Sequence, residues 1–295
     1  DIEFGSENFL ATAVIRNTPS GRSTVKGFSV NHEFAIFHGA NAEKSSVGRL
    51  EHNAEQKGRY DLIDEVGPYE WENFRKSSAG SDRASRPKQF YPIYVNKNTL
   101  SLRIPEIRWI DEITAYDVLD QPESTELIVY PVDGSGTEKV WRWGLERARK
   151  DSNTLIAKWN KDDTRLEVYG RKYLNQEGLL PRTWWDKPDY SARDNGTRLL
   201  RDMFESNVPF DFPKALNAVI DSIKIGCTAP YGIVLDYFGG SGTTAHAAIE
   251  LRRTAKMAGK DYGVKFILIE QGEYFDSVTK SRAIKATYSS KWKDG

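Results

Sequence analysis

The stretch from Gly232 to Glu250, Gly-Ile-Val-Leu-Asp-Tyr-Phe-Gly-Gly-Ser-Gly-Thr-Thr-Ala-His-Ala-Ala-Ile-Glu, constrains the fold more than any other part of the sequence. Ile233-Val234-Leu235 is an apolar run without alternation, which predicts a parallel strand buried on both faces. Gly239, Gly240 and Gly242 fall within four positions, so the backbone can turn sharply and a ligand can approach with no Cβ in the way. Ser241, Thr243 and Thr244 are candidate caps for the following helix, whose first N–H groups would face whatever fills the turn. A strand, a glycine turn and a helix in this order make a nucleotide-type ligand site. Gly240-x-Gly242-x-x-Ala245 also fits a dinucleotide fingerprint, a match with little specificity of its own.

Position along the chain narrows the reading. The helix is expected to run to about Met257 and stop at Gly259, and Val264–Glu270 reads as a second strand, with only 25 residues after it. A dinucleotide-binding domain starts at its glycine turn and needs further βα units beyond it. Those units do not fit after Glu270. The other strands of a doubly wound sheet must therefore come from earlier in the chain, in a permuted order.

Composition excludes several classes. Among 295 residues, 39% are hydrophobic and 28% charged, enough to bury a core and too apolar for disorder. Lys+Arg and Asp+Glu are both 42, which argues against indiscriminate coating of nucleic acid but leaves room for a local basic cleft. The single cysteine, Cys227, allows no intramolecular disulfide and suits a reducing, cytoplasmic setting. His32, His38, His52 and His246 show no metal-ligand spacing, so no metal is expected. No apolar run reaches the roughly 18 residues of a membrane helix, and no membrane partner is expected.

The remaining elements follow in order. Asn8–Arg16 and Asn31–Phe37 read as strands, joined by a loop carrying Arg22 and Lys26 with no acid. That loop is either plain surface or a grip on phosphate backbone. Residues 40–88 are polar and irregular, with a short helix expected near 60–66, and 89–104 and 154–170 read as hairpins. Glu126–Tyr130 is a further strand, and Thr137–Lys150 reads as a helix whose Arg142, Arg147, Arg149 and Lys150 form either a solvated face or a DNA-facing one. Asn195 starts one helix, and Phe210-Asp-Phe-Pro-Lys214 leads into another that ends near Gly226. Thr197 offers a hydroxyl there. Lys214 is equally a plain surface lysine or a cation for a carboxylate.

Asp236-Tyr-Phe238-Gly-Gly-Ser-Gly-Thr-Thr resembles the S-adenosylmethionine motif of amino-methylating DNA methyltransferases, D-x-F-x-G-S-G-T-T. His32-Glu33-aromatic before a strand, Arg86-Pro-x-Gln-Phe-Tyr-Pro-Ile-Tyr-Val95, Asn195-Gly-Thr197 and Phe-Pro-Lys214 extend the likeness over most of the chain. Together they resemble the modification (Mod) subunits of type III restriction–modification systems, DNA adenine-N6 methyltransferases. The resemblance implies an α/β, Rossmann-like doubly wound methyltransferase sheet, incomplete here, with an inserted α+β target-recognition module. The expected division is 1–40 as the N-terminal part of the core, 41–185 as the inserted module and 186–295 as the cofactor-binding half. S-adenosyl-L-methionine would be held by Asp236, Phe238, Gly239, Gly240, Ser241, Gly242, Thr243 and Thr244. Glu270 would take the ribose hydroxyls, and Asn195, Thr197 and Lys214 would complete the site. Double-stranded DNA is the implied substrate, contacted by Arg22, Lys26, Arg142 and Arg149. A second Mod subunit and a restriction subunit are the implied partners.

One departure stands out. Enzymes that methylate exocyclic amines carry Asp/Asn-Pro-Pro-Tyr/Phe, which accepts the amino N–H groups and stacks the flipped base. The sequence contains no Pro-Pro pair, and Thr228-Ala-Pro-Tyr231 lacks both the acid and the second proline. In the permuted order that motif belongs upstream of residue 1. The expectation is a fragment with no catalytic residue of its own, inactive alone. The alternatives are a nicotinamide-dependent oxidoreductase using the same turn, or a nucleotide- and DNA-binding module that has lost catalysis.

Overall fold

The computed structural model describes residues 3–21, 27–205 and 210–290. The chain divides into two compact units, Asp1–His52 with Glu177–Gly295, and Asn53–Gln176. It is a mixed α/β protein with several small sheets.

In the first unit, Phe9–Ile15 lies between Trp184–Trp185 and Glu33–His38. It pairs in parallel with the former and antiparallel with the latter. Ala13, Ile15, Trp185 and Tyr190 are buried with Ala218 and Ile225 of the helix Leu216–Gly226 and with its N-cap residue Ala215, which close that core. The opposite faces of these strands stay open, with Phe34 and Ile36 exposed. The glycine-turn segment makes a second, separate sheet. Ile233–Asp236 pairs in parallel with Lys265–Leu268, with the helix Thr243–Met257 connecting them. Leu216, Ile223, Ala247, Ala248, Leu251 and Val264 form the core on one side.

The expectation that Ile233-Val-Leu is buried on both faces is corrected here. Val234 packs into the core, whereas Ile233 is 63% exposed and Leu235 43%. In the parallel register Leu235 stands opposite Ile267, and Ile267 and Ile269 are exposed as well. Alternate side chains of both strands thus form one open apolar face, because only one layer of helix covers this two-stranded sheet. An unalternating run shows that a strand can be buried twice; what covers it is set elsewhere.

The second unit is built on an antiparallel sheet ordered Leu155–Trp159, Leu166–Tyr173, Pro68–Asn73, Leu62–Ile63. A smaller sheet, Leu102–Arg103, Ile93–Asn96, Glu126–Val129, and the hairpin Ile107–Ile110 with Ala115–Val118 complete it. Their shared core holds Phe74, Tyr91, Ile93, Val95, Trp141 and Val168. Both long hairpins foreseen in the sequence are present. Two helices differ. Thr137–Lys150 is helical only over Leu145–Lys150. Before Gly144 the chain is extended, with Glu138, Lys139 and Trp141 in β-bridges to Val132, Asp82 and Arg75. Val140 and Trp141 are both buried, and it is the ladder pairing of this stretch, not its burial, that excludes a helix. The Trp141 ring N–H donates to the Tyr91 carbonyl at 2.7 Å, fixing it in the core. The short helix expected near 60–66 lies instead at Ala54–Gly58, started by an Asn53/Gln56 capping box, and Leu62–Ile63 is a strand.

Candidate cofactor site

The site is built at the ends of the two parallel strands. Asp236 closes the first of them. Its Oδ1 accepts the Phe238 N–H at 3.1 Å and its Oδ2 accepts the Thr244 hydroxyl at 2.6 Å, so one carboxylate ties the strand end to the first turn of the helix. Strand pairing runs on into the turn, with Ile269 N–H donating to Asp236 O at 2.8 Å and Gly239 N–H to Ile269 O at 2.9 Å. Gly240 and Gly242 have φ of 53° and 76°, the left-handed region that side chains avoid. A Cβ on Gly242 would lie 2.8 Å from the Thr279 carbonyl oxygen.

Glu270 flanks the same turn from just past the second strand. Its carboxylate accepts Gly272 N–H at 2.8 Å and Gly240 N–H at 2.7 Å. These backbone donors, Gly272 first and then Gly240, hold the acid below the usual carboxylate range. The Tyr274 hydroxyl and the Gln271 N–H lower it further, and an ionised carboxylate only accepts, which is what a ligand hydroxyl needs. The Phe238 ring is 86% exposed beside this lip.

The expected caps are corrected by the structure. The helix N-cap is Gly242, and no side chain caps it. Thr244 is taken by Asp236, while the buried hydroxyls of Ser241 and Thr243 accept hydrogen bonds from Arg282. The helix therefore presents its positive end without a capping side chain, which suits an anionic or polar ligand group.

Four neighbours of the turn escaped the sequence reading. The Phe210 ring lies against Gly240, where an added Cβ would be 3.3 Å from its edge, and it stacks edge-on with Tyr274 at 5.0 Å. The Thr279 hydroxyl donates to Gly240 O at 2.5 Å, and Arg282 stands behind the turn. Tyr274, Thr279 and Arg282 belong to a tail whose helix, Ser281–Tyr288, was not foreseen. Its buried side, Val278 just before it and then Arg282 and Ala286, has a charged residue in the middle, so no apolar periodicity announced it.

Asn195 and Thr197 sit in a wide π-helical turn, Arg193–Arg198. Gly196 in its middle lets the Pro213 carbonyl approach, since a Cβ there would be 2.5 Å from that oxygen, so the Asn-Gly-Thr and Phe-Pro-Lys segments touch. Gly196→Ala is expected to separate them and lower the unfolding midpoint in urea, at a cost of about 1–3 kcal/mol. Lys214 is exposed and ion-paired with Glu33 of the His-Glu pair. In the other unit, Arg142 Nε meets the Glu72 carboxylate at 3.2 Å and the Asn73 carbonyl at 2.8 Å. Arg149 donates to Pro105 O at 2.8 Å. Arg22 and Lys26 lie outside the described residues. Among the described residues, no cluster of three His, Cys, Asp or Glu is placed to hold a metal, and no helix is long and apolar enough to cross a membrane.

Comparison with known proteins gives the family. A DNA methylase family model (N6/N4 methyltransferases) matches residues 2–281. The chain is 33% identical over 251 residues to the type II methyltransferase M.KpnI of Klebsiella pneumoniae, covering 84% of this chain and 53% of that protein. It is 27% identical over 288 residues to the EcoPI Mod subunit of a type III restriction–modification enzyme of Escherichia phage P1, covering 96% of this chain and 41% of that one. The StyLTI Mod subunit of Salmonella typhimurium is 25% identical over 201 residues, 61% of this chain and 30% of that subunit. The chain thus spans about half the length, or less, of the curated relatives it matches. A match of this extent sets aside the dinucleotide-oxidoreductase reading of the glycine turn, and the chain belongs to the N6/N4 DNA methylase family.

Proposed function

We propose that this chain carries the S-adenosylmethionine-binding half and a DNA-recognition module of an adenine-N6 DNA methyltransferase of the type III Mod kind. The observation that carries the reading is the pair of carboxylates, Asp236 and Glu270, set at the ends of adjacent parallel strands on either side of one glycine turn. The donor set fits the cofactor. Glu270 is an ionised acceptor for ribose hydroxyls, Asp236 shapes the turn, and the Phe238 ring offers an apolar surface for an adenine. Gly239, Gly240, Ser241, Gly242, Thr243 and Thr244 form the cradle, with Asn195, Thr197 and Lys214 assigned to its far side. When bound, S-adenosylmethionine supplies the activated methyl group. The chain's own residues bind it, orient it and keep the turn open.

The test is calorimetric titration with S-adenosylmethionine, S-adenosylhomocysteine and NAD into wild type and Asp236→Ala. Binding of the first two, weakened by the substitution, with no binding of NAD, is the expected result. Binding of NAD alone would overturn it.

The Glu270 contact sets a pH dependence. Its folded value is depressed below the ordinary 4.5, so the carboxylate's contribution is fully present above 4.5 and is lost only as pH falls through the lower folded value. Affinity measured from pH 7 down to about 5 is therefore expected to stay flat where Glu270 is concerned, and Glu270→Gln to be weaker by the same factor throughout that window.

Double-stranded DNA is the proposed substrate, with Arg22, Lys26 and Arg149 as phosphate contacts. Each removed contact is expected to lower the slope of log affinity against log salt by about 0.9. Arg142 is assigned to DNA as well, but it already answers Glu72 and Asn73, so Arg142→Ala is expected to cost stability before it costs DNA affinity.

The open apolar face of Ile233, Leu235, Ile267 and Ile269 supports a Rossmann-like sheet that further elements of a longer protein would complete. The Asp/Asn-Pro-Pro-Tyr/Phe motif that would accept the target amine is not among these 295 residues. We assign it to that additional chain, together with contacts to a second Mod subunit and a restriction subunit. This chain alone is expected to bind cofactor without turnover in a tritiated-methyl transfer assay. Methylated DNA from this piece alone would overturn the assignment, and cytosine-N4 product from the full-length protein would overturn the adenine reading.

A further inference from the structure

Arg282, on the helix Ser281–Tyr288, is fully buried directly behind the glycine turn. Its Nη1 donates to the Ser241 hydroxyl at 2.9 Å and the Thr243 hydroxyl at 2.8 Å, with the Ser241 carbonyl at 3.4 Å. Its Nε donates to His246 Nδ1 at 3.3 Å, which requires a neutral imidazole. Among the described residues Nη2 has no hydrogen-bond partner. Among the described residues no carboxylate pairs with this guanidinium, and Glu250, the acid beside His246, answers Arg253 instead. Burial pushes Arg282 down to about 9, still a cation at neutral pH.

A buried cation without a counter-ion is costly to keep, by several kcal/mol in general. Even a paired buried charge can often be replaced by apolar side chains of similar volume without loss of stability. Its position suggests what offsets that cost. Arg282 grips residues on both sides of Gly242, the helix N-cap, so its charge adds to the positive end of a 15-residue helix that no side chain caps. The acidic groups of the site, Asp236 and Glu270, are engaged with the turn backbone and with Thr244, not with Arg282. Lys214, the other cation assigned to this ligand, is already answered by Glu33.

We propose that Arg282 is a positioning residue for the amino-acid end of the cofactor. Through Ser241 and Thr243 it holds the glycine turn in its ligand-receiving shape, and its unneutralised charge favours a carboxylate at the uncapped helix end. The inference rests on the S-adenosylmethionine reading of the site.

The test compares two ligands that share the adenosine and thioether but differ at that end: S-adenosylhomocysteine, with its amino-acid group, and 5′-methylthioadenosine, without it. Both are titrated calorimetrically into wild type, Arg282→Met and Arg282→Lys, with thermal melts of each protein. Arg282→Met is expected to weaken S-adenosylhomocysteine by about 10-fold or more and methylthioadenosine by less than about 3-fold. Arg282→Lys keeps the charge but loses the fork, and is expected to fall between wild type and Arg282→Met for S-adenosylhomocysteine. Equal losses for the two ligands, no loss for either, or failure of both variants to fold would reduce Arg282 to a structural residue and overturn the proposal. Wild type that binds neither ligand would overturn the cofactor reading itself, an outcome seen before any variant is compared.

Discussion

Gly242→Ala is expected to remove about 2–4 kcal/mol of stability and to abolish cofactor binding. Two physical terms add. At φ of 76° an L-side chain costs about 1–2 kcal/mol. The new Cβ would also lie 2.8 Å from the Thr279 carbonyl oxygen, a backbone atom that cannot swing aside as a side-chain end can. Thr279 belongs to the segment that grips the turn, its hydroxyl held on Gly240 O, so relief of the clash displaces the turn itself. Urea unfolding and calorimetric titration with S-adenosylhomocysteine check both halves. Gly259→Ala is the control. It carries a similar φ of 67° but has nothing within 4 Å of the added carbon, so only the same conformational cost of about 1–2 kcal/mol applies there. Equal losses at the two positions would show that the Thr279 contact is irrelevant.

Asp236→Ala is expected to weaken S-adenosylmethionine by about 100-fold or more, the equivalent of roughly 3 kcal/mol. The carboxylate fixes two groups at once, the Phe238 N–H and the Thr244 hydroxyl, and so joins strand end, turn and first helical turn. Bonds to a charged acceptor are each worth about 1.5–3 kcal/mol, and removing the acceptor leaves both donors seeking water. Asp236→Asn separates shape from charge. The amide oxygen can still accept one of these bonds, so the fold should survive with a smaller loss of affinity, about 10-fold. If Asp236→Ala and wild type bound the cofactor equally, the carboxylate would be a structural brace only and the site would lie elsewhere.

Local chemistry made the glycine turn legible. A strand, three glycines and a helix leave one compact way for the chain to run, and Asp236 and Glu270 could be assigned because each follows a short apolar strand directly. The hairpin at 154–170 was legible for a similar reason: β-branched and aromatic runs flank the polar turn Asn160–Asp163. The helix read over Thr137–Lys150 shows the limit. Its residues have adequate helix propensity, but Trp141 finds a buried partner in the Tyr91 carbonyl, and the chain before Gly144 is extended to reach it. Long-range pairing outweighs a preference of a few tenths of a kcal/mol per residue.

By itself the sequence determined the strand–turn–helix, the two carboxylates beside it and membership in a class of amino-methylating enzymes. These depend on neighbours within a few residues, where spacing fixes geometry. Only the tertiary structure decided what stands behind and around the turn. Phe210 against Gly240, Thr279 on its carbonyl and Arg282 on Ser241 and Thr243 are separated from the turn by about 30–40 positions. No local pattern marks a lone arginine on a short helix as the buried charge of a binding site. The same holds for burial: Ile233, Leu235 and Ile267 read as core, yet they lie on an open face. Hydrophobicity states what a side chain prefers, and only packing supplies the surface that meets it.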